Sequence, residues 1–332
     1  MSGHQLNIII VNWNGKRFLP DCLKSIADNP PEGRYEVVVV DNVSSDGSRE
    51  WLESPEAAEI FPNENLKVIL SEENLGFGRA NNLAIEKTRG DLVFVLNPDT
   101  IIKGKAIQRL IDELSSDDTI GAVSPKLLNA DGTLQASVAA FPPNPLTIAL
   151  EGLRLTKILP RTIRQRYFYG EHWDHNEKRS VPVFWGTAIL AKRKMIAEVG
   201  AFDEDFFMYG EDVEWCARMN RMGWKTVFVP EAEIVHLGGK SSEQAWQPSE
   251  TTLRKDAADI LVQKKSLPIW WAASNSLSRA LMYSLAFFRR AVMGQNRDFL
   301  KRHITLHLNV VKDAFADRDK IPHNTKNGGT SR

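Results

Sequence analysis

The chain has 332 residues, 42% hydrophobic and 25% charged, a profile with enough apolar material for one large folded domain or two modest ones. Its 42 Lys/Arg balance 42 Asp/Glu overall, but residues 251–332 hold 15 basic against 6 acidic side chains, so a basic tail facing something anionic follows an acidic body. Two distant cysteines, Cys22 and Cys216, exclude a disulfide scaffold or a CxxC zinc site, and no apolar run reaches the roughly 18 residues of a membrane span.

Residues 6–11 form an apolar, β-branched run that predicts a strand buried on both faces. Its closeness to Met1 leaves no room for a signal peptide, so a cytoplasmic protein is expected. Apolar residues at helical spacing follow over 18–27. A second buried strand covers 37–40, and after the turn Ser44-Ser45-Asp46-Gly47 a helix starts over Ser48–Leu52. Residues 66–70 predict a third strand, 80–88 a helix ending near Gly90, 92–96 a fourth strand and about 104–114 another helix. Strands alternating with helices imply right-handed crossovers and an α/β, Rossmann-like, doubly wound, mostly parallel sheet. Ligands of such sheets bind beyond the carboxyl ends of the strands.

Past Ala122 the alternation weakens. Residues 141–181 carry Pro142-Pro143, Pro145, Pro160 and many Arg and aromatic residues, which predicts an irregular, partly helical excursion with a flexible loop. A strand over 183–191, a short helix over 194–199, a helix over 213–222 and short strands over 226–229 and 233–235 complete a domain spanning 1–248. Residues 249–316 read as a C-terminal helical extension, basic and aromatic, and 317–332 as a disordered tail.

Acidic signatures sit where apolar strands stop or helices start, which holds carboxylates at the mouth of the sheet. Asp41-Asn42 ends the second strand; a carboxylate there can accept the N3–H of a uracil or thymine ring and Asn42 can add amide contacts, although both residues are equally at home in a turn. The stretch from Asn74 to Asn82, with Gly76, Gly78 and Arg79, is a glycine-bearing turn entering a helix, where N–H groups and the guanidinium suit a diphosphate or ribose. Asn81 in place of a third glycine separates it from the dinucleotide fingerprint, and an Asn-capped helix start is its plainer reading. Asn97-Pro98-Asp99 presents a stiffened turn with a carboxylate for Mg²⁺ or Mn²⁺, hard ions that take carboxylate and phosphate oxygens; the plain alternative is a helix cap. Glu211-Asp212 starts a helix after an aromatic stretch, where a carboxylate can take the proton of an attacking hydroxyl and where acids also suit the helix dipole. His236, before Gly238-Gly239, is a candidate metal ligand or phosphate donor, and Trp185-Gly186-Thr187 a backbone shelf beneath a sugar ring.

In this order the residues resemble family 2 glycosyltransferases of the GT-A fold, over roughly residues 5–245, and most nearly the bacterial rhamnosyltransferase-like branch of cell-surface polysaccharide assembly. The opening Ile10-Val11-Asn12-Trp13-Asn14-Gly15 is similar to that family's first-strand motif, Val40-Asp41-Asn42 with Ser44-Ser45-Asp46-Gly47 to its nucleobase-binding turn, and Asn74–Asn82 to a stretch typical of the rhamnosyltransferase-like branch. The resemblance implies a nucleotide-sugar site built from Val11, Asn12, Asn14, Asp41, Asn42, Asn74, Gly76, Arg79, Asn82 and Asn97. Asn97-Pro98-Asp99 stands where the family has Asp-x-Asp; the first acid is replaced, but Asp99 keeps the position of the main metal contact. Asp212 inherits the base role beside Glu211, Trp185, Gly186 and Thr187 fall to the acceptor, and Val235-His236 with Gly238, Gly239 and Ser241 resembles the segment closing over the diphosphate. Implied is a single inverting displacement in which a sugar, rhamnose favoured, passes from a dTDP- or UDP-sugar to a glycan or lipid-linked acceptor, with Mg²⁺ or Mn²⁺ as cofactor.

Residues 264–302 place Trp270-Trp271, Phe287-Phe288 and Arg289-Arg290 among other basic side chains, which suits either peripheral contact with the inner face of the plasma membrane, packing on the catalytic body, or a homodimer contact. No nucleic-acid module is present in the sequence. Two other functions fit part of the pattern. A sugar nucleotidyltransferase would need a Gly-rich phosphate loop after the first strand, where this chain has one glycine; a non-catalytic nucleotide-sugar or carbohydrate-binding scaffold would not need Asp99 and Asp212.

Overall fold

The computed structural model describes residues 5–61, 65–139, 142–143, 145–153, 155–167, 173–238, 247–293 and 297–318; Gly239, Ser241 and most of the expected tail lie outside them. Leu6–Asn12 (β1) is buried along its whole length, its apolar residues taken up by cores on both faces of the sheet. It is followed by Leu19–Asp28 (α1), Tyr35–Asp41 (β2), Ser48–Leu52 (α2), Pro55–Ile60 (α3), Leu66–Leu70 (β3), Gly76–Glu86 (α4) and Leu92–Leu96 (β4). β1 pairs in parallel with β2 and with β4, and β2 in parallel with β3, so the expected doubly wound half is present. The period-two alternation of β1 sends Leu6, Ile8 and Ile10 to one core with α1, and Ile9 and Val11 to a second core with α4.

The second half departs from the predicted elements. A short strand, Thr100–Ile102 (β5), stands ahead of the expected helix, which runs over Ala106–Ser116 (α5). A long strand, Ile120–Leu128 (β6), lies where the alternation weakened, and Leu134–Gln135 (β7) folds back on it after a five-residue turn. Val138–Ala139 (β8), Pro145–Gly152 (α6), Arg161–Tyr167 (α7) and Arg179–Ser180 (β9) precede the expected strand over 183–191, which is broken in two. Val183–Phe184 (β10) pairs with β8, whereas Ala188–Lys192 (β11) inserts antiparallel between β4 and β6. Residues 185–187 form the break because their backbone is spent on other partners. After Arg193–Val199 (α8) and Glu211–Arg221 (α9), the two short strands predicted over 226–235 are one, Lys225–His236 (β12), with an irregularity between Val229 and Glu233 where Pro230 removes a ladder donor. The full order is β3-β2-β1-β4-β11-β6-β12-β5, parallel over β3 to β4 and mixed beyond.

Three helices end the described chain: Pro248–Ser266 (α10), Ile269–Val292 (α11) and Asp298–Arg318 (α12). Residues up to Phe141 together with Leu159–Val262 form one compact unit, and Pro142–Ile158 together with residues from Gln263 form a second. Within the second, α11 packs on α12 and α6, and the Trp271 indole and Asn275 amide both donate to the Pro143 carbonyl, at 2.8 and 3.0 Å.

Candidate active site

The parallel register sets Asn12 opposite Asp41 at the carboxyl ends of β1 and β2. Asn12 donates through Nδ2 to Asp41 Oδ2 at 3.0 Å and to Ser44 Oγ at 3.1 Å, and Ser44 Oγ accepts the Asn14 N–H at 2.9 Å. Asp41 Oδ1 takes the Ser44 N–H at 3.0 Å and Arg49 Nε at 2.8 Å. Burial pushes this fully enclosed carboxyl up, but hydrogen bonds from Ser44, Arg49 and Asn12 outweigh it and hold Asp41 below the usual range. Asp41 therefore sits beneath the turn that follows it, with its oxygens engaged within the chain. Asn14 lies on the rim at a φ of +52° and accepts the Ser45 N–H at 2.7 Å; Val11 is buried between cores and offers only backbone. Arg49, which joins Ser44 and Asn12 in holding Asp41 charged, carried no signal in the sequence because its role depends on a contact eight residues back.

Asn42 fastens the same sheet end to the start of α4. Its Nδ2 donates to Asn74 Oδ1 at 2.9 Å and to the Gly76 carbonyl at 3.1 Å, and its Oδ1 accepts the Leu75 N–H at 2.8 Å. Asn82 is occupied too, exchanging two hydrogen bonds with the backbone of Phe202, at 2.9 and 3.0 Å. Of this stretch Asn74 and Arg79 are exposed, and Arg79 lies within 3.7 Å of Glu73 and 3.8 Å of Glu204. Gly76, at a φ of +75°, lets the Phe77 N–H reach the Phe207 carbonyl at 2.9 Å, docking α4 against the loop that leads to α9.

Along the rim, a Cβ on Gly15 would stand 3.6 Å from the Pro98 ring, so the turn after β1 adjoins the turn after β4. There Asp99 Oδ1 lies 3.2 Å from His236 Nε2, brought together by the antiparallel pairing of β5 with the end of β12, which sets Thr100 opposite His236. On its far side His236 Nδ1 meets Gln135 Oε1 at 2.5 Å. Sequence reasoning missed Gln135; a Gln three residues beyond an Asp-Gly turn is unremarkable until the hairpin is folded.

Asn97 connects this corner to the next. Its N–H donates to the Thr187 carbonyl at 2.9 Å, and the adjacent Gly186 N–H donates to Asp212 Oδ2 at 2.6 Å. The Trp185 N–H goes to the Ser137 carbonyl at 2.9 Å while its indole is largely exposed. Gly210 turns the chain into α9 at a φ of +85°, and the Val213 N–H supplies a second donor to Asp212, 2.8 Å from Oδ1. The helix carries Glu211, Asp212 and Glu214 in its first turn and Arg218 and Arg221 in its last, matching its dipole. Glu214 is held by Arg218 at 2.6 Å.

Glu211 and Asp212 face different surroundings. Burial first, and the neighbouring Asp212 charge second, push Glu211 up to about 8, and its Oε2 finds no partner. Burial also raises Asp212, against the two backbone N–H groups that favour its ionised form. The Gly186 and Val213 N–H groups favour the ionised form at Asp212, whereas the partnerless Glu211 Oε2 favours the protonated one, so the negative charge of the pair is better held on Asp212. The rim thus presents a carboxyl held by two backbone N–H groups at one corner, an Asp–His pair at another, and a turn organised over Asp41 at a third. Among the described residues no group of three or more His, Cys, Asp or Glu converges; Asp99 and His236 meet as a pair.

Residues 7–200 match the model of glycosyl transferase family 2, and residues 165–247 that of glycosyl transferase family group 2. An N-acetylglucosaminyl-diphospho-decaprenol L-rhamnosyltransferase of Mycobacterium tuberculosis is 30% identical over 282 residues, covering 78% of this chain and 82% of the relative. The low-salt glycan biosynthesis hexosyltransferase Agl10 of Haloferax volcanii is 28% identical over 220 residues, 65% of this chain and 62% of its own. Among solved structures, a mannosyltransferase from Pyrobaculum calidifontis in complex with GDP-Man and Mn²⁺ superposes with a TM-score of 0.55 at 17% identity, over 94% of this chain and 87% of that one. GalNAc-T7 with UDP, GalNAc and Mn²⁺ gives 0.59 at 17% identity, over 95% and 57%. These likenesses show the GT-A fold, with its curled, mostly parallel sheet. The ordered rim of Asp41, Asn97-Pro98-Asp99, Asp212 and His236 stands on that fold, and the chain belongs to glycosyl transferase family 2 as a rhamnosyltransferase-like glycosyltransferase.

Proposed function

We propose that the chain is an inverting, divalent-metal-dependent transferase that moves rhamnose from a nucleotide-activated donor, dTDP-linked before UDP-linked, onto a lipid-linked glycan acceptor. The observation that carries the reading is Asp212: a carboxylate with a raised pKa, aimed by the Gly186 and Val213 N–H groups, at the mouth of a sheet beside a neutral Glu211. Asp212 takes the proton of the acceptor hydroxyl as its oxygen attacks the anomeric carbon. The carbon–oxygen bond to the diphosphate breaks in the same step, and the electron pair leaves with the nucleoside diphosphate. Asp99 and His236 would hold a Mg²⁺ or Mn²⁺ ion, since a carboxylate oxygen and an imidazole nitrogen lie 3.2 Å apart at the rim. Bound there, the ion supplies charge neutralisation to the departing diphosphate. The turn over Asp41 and the exposed Arg79 serve the base and ribose–phosphate, and the shelf at Trp185–Thr187 meets the acceptor sugar.

The rhamnose donor and the lipid-linked acceptor rest on the name of the mycobacterial relative, which acts on N-acetylglucosaminyl-diphospho-decaprenol. A lipid acceptor is consistent with α11. Its exposed apolar residues Trp270, Leu277, Leu281, Leu285, Phe288 and Val292 recur every three, four or seven residues on one face, and its 24 residues include three arginines and no acid. No helix among the described residues is long and apolar enough to cross a membrane, so this face would rest on the surface of a bilayer.

The test is nucleoside diphosphate release from a panel of dTDP- and UDP-sugars with a lipid-linked N-acetylglucosamine acceptor, with and without EDTA, and NMR of the product's anomeric configuration. Asp212→Asn should lower turnover about 10²- to 10⁴-fold while leaving donor affinity unchanged. A retained configuration, or full activity in Asp212→Asn, would sink the mechanism.

A further inference from the structure

We infer that Gln135 is a positioning residue that fixes the ring of His236 so that Nε2 and Asp99 Oδ1 together face a divalent cation. The inference rests on the proposed metal role of Asp99 and His236. Two backbone carbonyls, which can only accept, decide which way the intervening amides point. The Leu134 carbonyl lies 3.4 Å from Asn129 Nδ2, and the His236 carbonyl 3.5 Å from Gln135 Nε2. With both NH₂ groups so assigned, Asn129 Oδ1 accepts from Gln135 Nε2 at 2.9 Å, and Gln135 Oε1 is left as an acceptor against His236 Nδ1. Nδ1 must therefore carry a proton. With Nδ1 held by Gln135, Nε2 is the ring nitrogen turned to Asp99 Oδ1, 3.2 Å away, and a divalent cation would take the two as ligands.

The platform that delivers Gln135 is local and rigid. The β6–β7 turn is closed by Asn129 N–H to Thr133 O at 2.8 Å, Gly132 N–H to Asn129 O at 2.9 Å, and by Asp131, whose Oδ1 accepts from both the N–H and hydroxyl of Thr133. β6 also pairs in parallel with β12, setting Leu128 beside Val235, so the hairpin and His236 share one stretch of sheet. A hydrogen-bond partner on the distal nitrogen is how proteins commonly set the tautomer and basicity of a metal-binding histidine.

The experiment reads the tautomer and the metal separately. Long-range ¹H–¹⁵N NMR of histidine-labelled, metal-free protein should show His236 protonated at Nδ1. Gln135→Leu should abolish that preference, and Gln135→Glu, which keeps an acceptor, should retain it. Mn²⁺ affinity by EPR titration should fall about 10- to 100-fold in Gln135→Leu and stay within a few-fold of wild type in Gln135→Glu. A His236 tautomer unchanged in Gln135→Leu refutes the positioning role while leaving the transferase reading intact. Wild-type protein that shows the tautomer but binds no Mn²⁺ refutes the metal reading, and with it this inference.

Discussion

Replacing Gly76 by Ala tests how the nucleotide side of the rim is joined to the catalytic side. A Cβ at Gly76 would stand 2.2 Å from the Phe207 carbonyl oxygen and 2.9 Å from the Phe207 ring, at a φ of +75°. The left-handed backbone costs an L-residue about 1 kcal/mol. Relieving the clash means moving a main-chain carbonyl, which breaks its hydrogen bond with the Phe77 N–H and costs about 1–2 kcal/mol more. Gly76→Ala should therefore lose about 2–3 kcal/mol in urea denaturation, or roughly 5–10 °C in Tm for a domain of this size. Gly104→Ala is the control. Its φ is +51° and nothing lies within 4 Å of the added carbon, so only the backbone cost applies, about 1 kcal/mol. Because the displaced carbonyl belongs to the loop feeding Gly210 and Asp212, turnover should also fall about 10- to 100-fold in Gly76→Ala and stay unchanged in Gly104→Ala. Equal destabilisation of the two variants would refute the argument, since it would show that the Phe207 contact carries no weight.

Glu211 has a folded-state pKa near 8 against an ordinary 4.5, so between those values the folded chain binds more protons than the unfolded one and stability declines as pH rises. Glu211→Gln should flatten that slope, read as urea midpoints from pH 5 to 9; a slope identical to wild type would contradict the buried, neutral carboxyl. Arg49→Leu strands the enclosed Asp41 carboxylate and should cost about 2–4 kcal/mol. Adding Asp41→Asn should recover part of it, and a strictly additive double mutant would show that the two do not interact. Burial pushes the Cys22 and Cys216 thiols up to about 12. Native protein at pH 8 should leave both unlabelled by an aromatic disulfide reagent, and unfolded protein should label both; rapid native labelling would place either thiol at the surface.

The first half of the fold was legible in the sequence by itself, because β1, β2 and β4 carry apolar cores buried within the sheet, and such runs alternating with amphipathic segments leave little other arrangement than strands flanked by helices. The sequence also marked the corners of the site, since Asp41, Asp99 and Asp212 end strands or begin helices, where a carboxylate cannot be a packing residue. What it left undecided depends on contacts between distant segments. A run such as 183–191 reads as one strand until the Gly186 N–H turns to Asp212, with β10 then paired to β8 and β11 antiparallel beside β4. Asn42 and Asn82 read as ligand contacts but serve as joints, their amides consumed by neighbours 32 to 120 residues away. Gln135 and Arg49 read as ordinary surface residues until folding brings each to a group whose charge or orientation it sets. Periodicity and strand-end chemistry are local and so legible in one dimension. Pairing partners, amide orientation and the division of one charge between Glu211 and Asp212 arise from desolvation and distance, and only the tertiary structure supplies those.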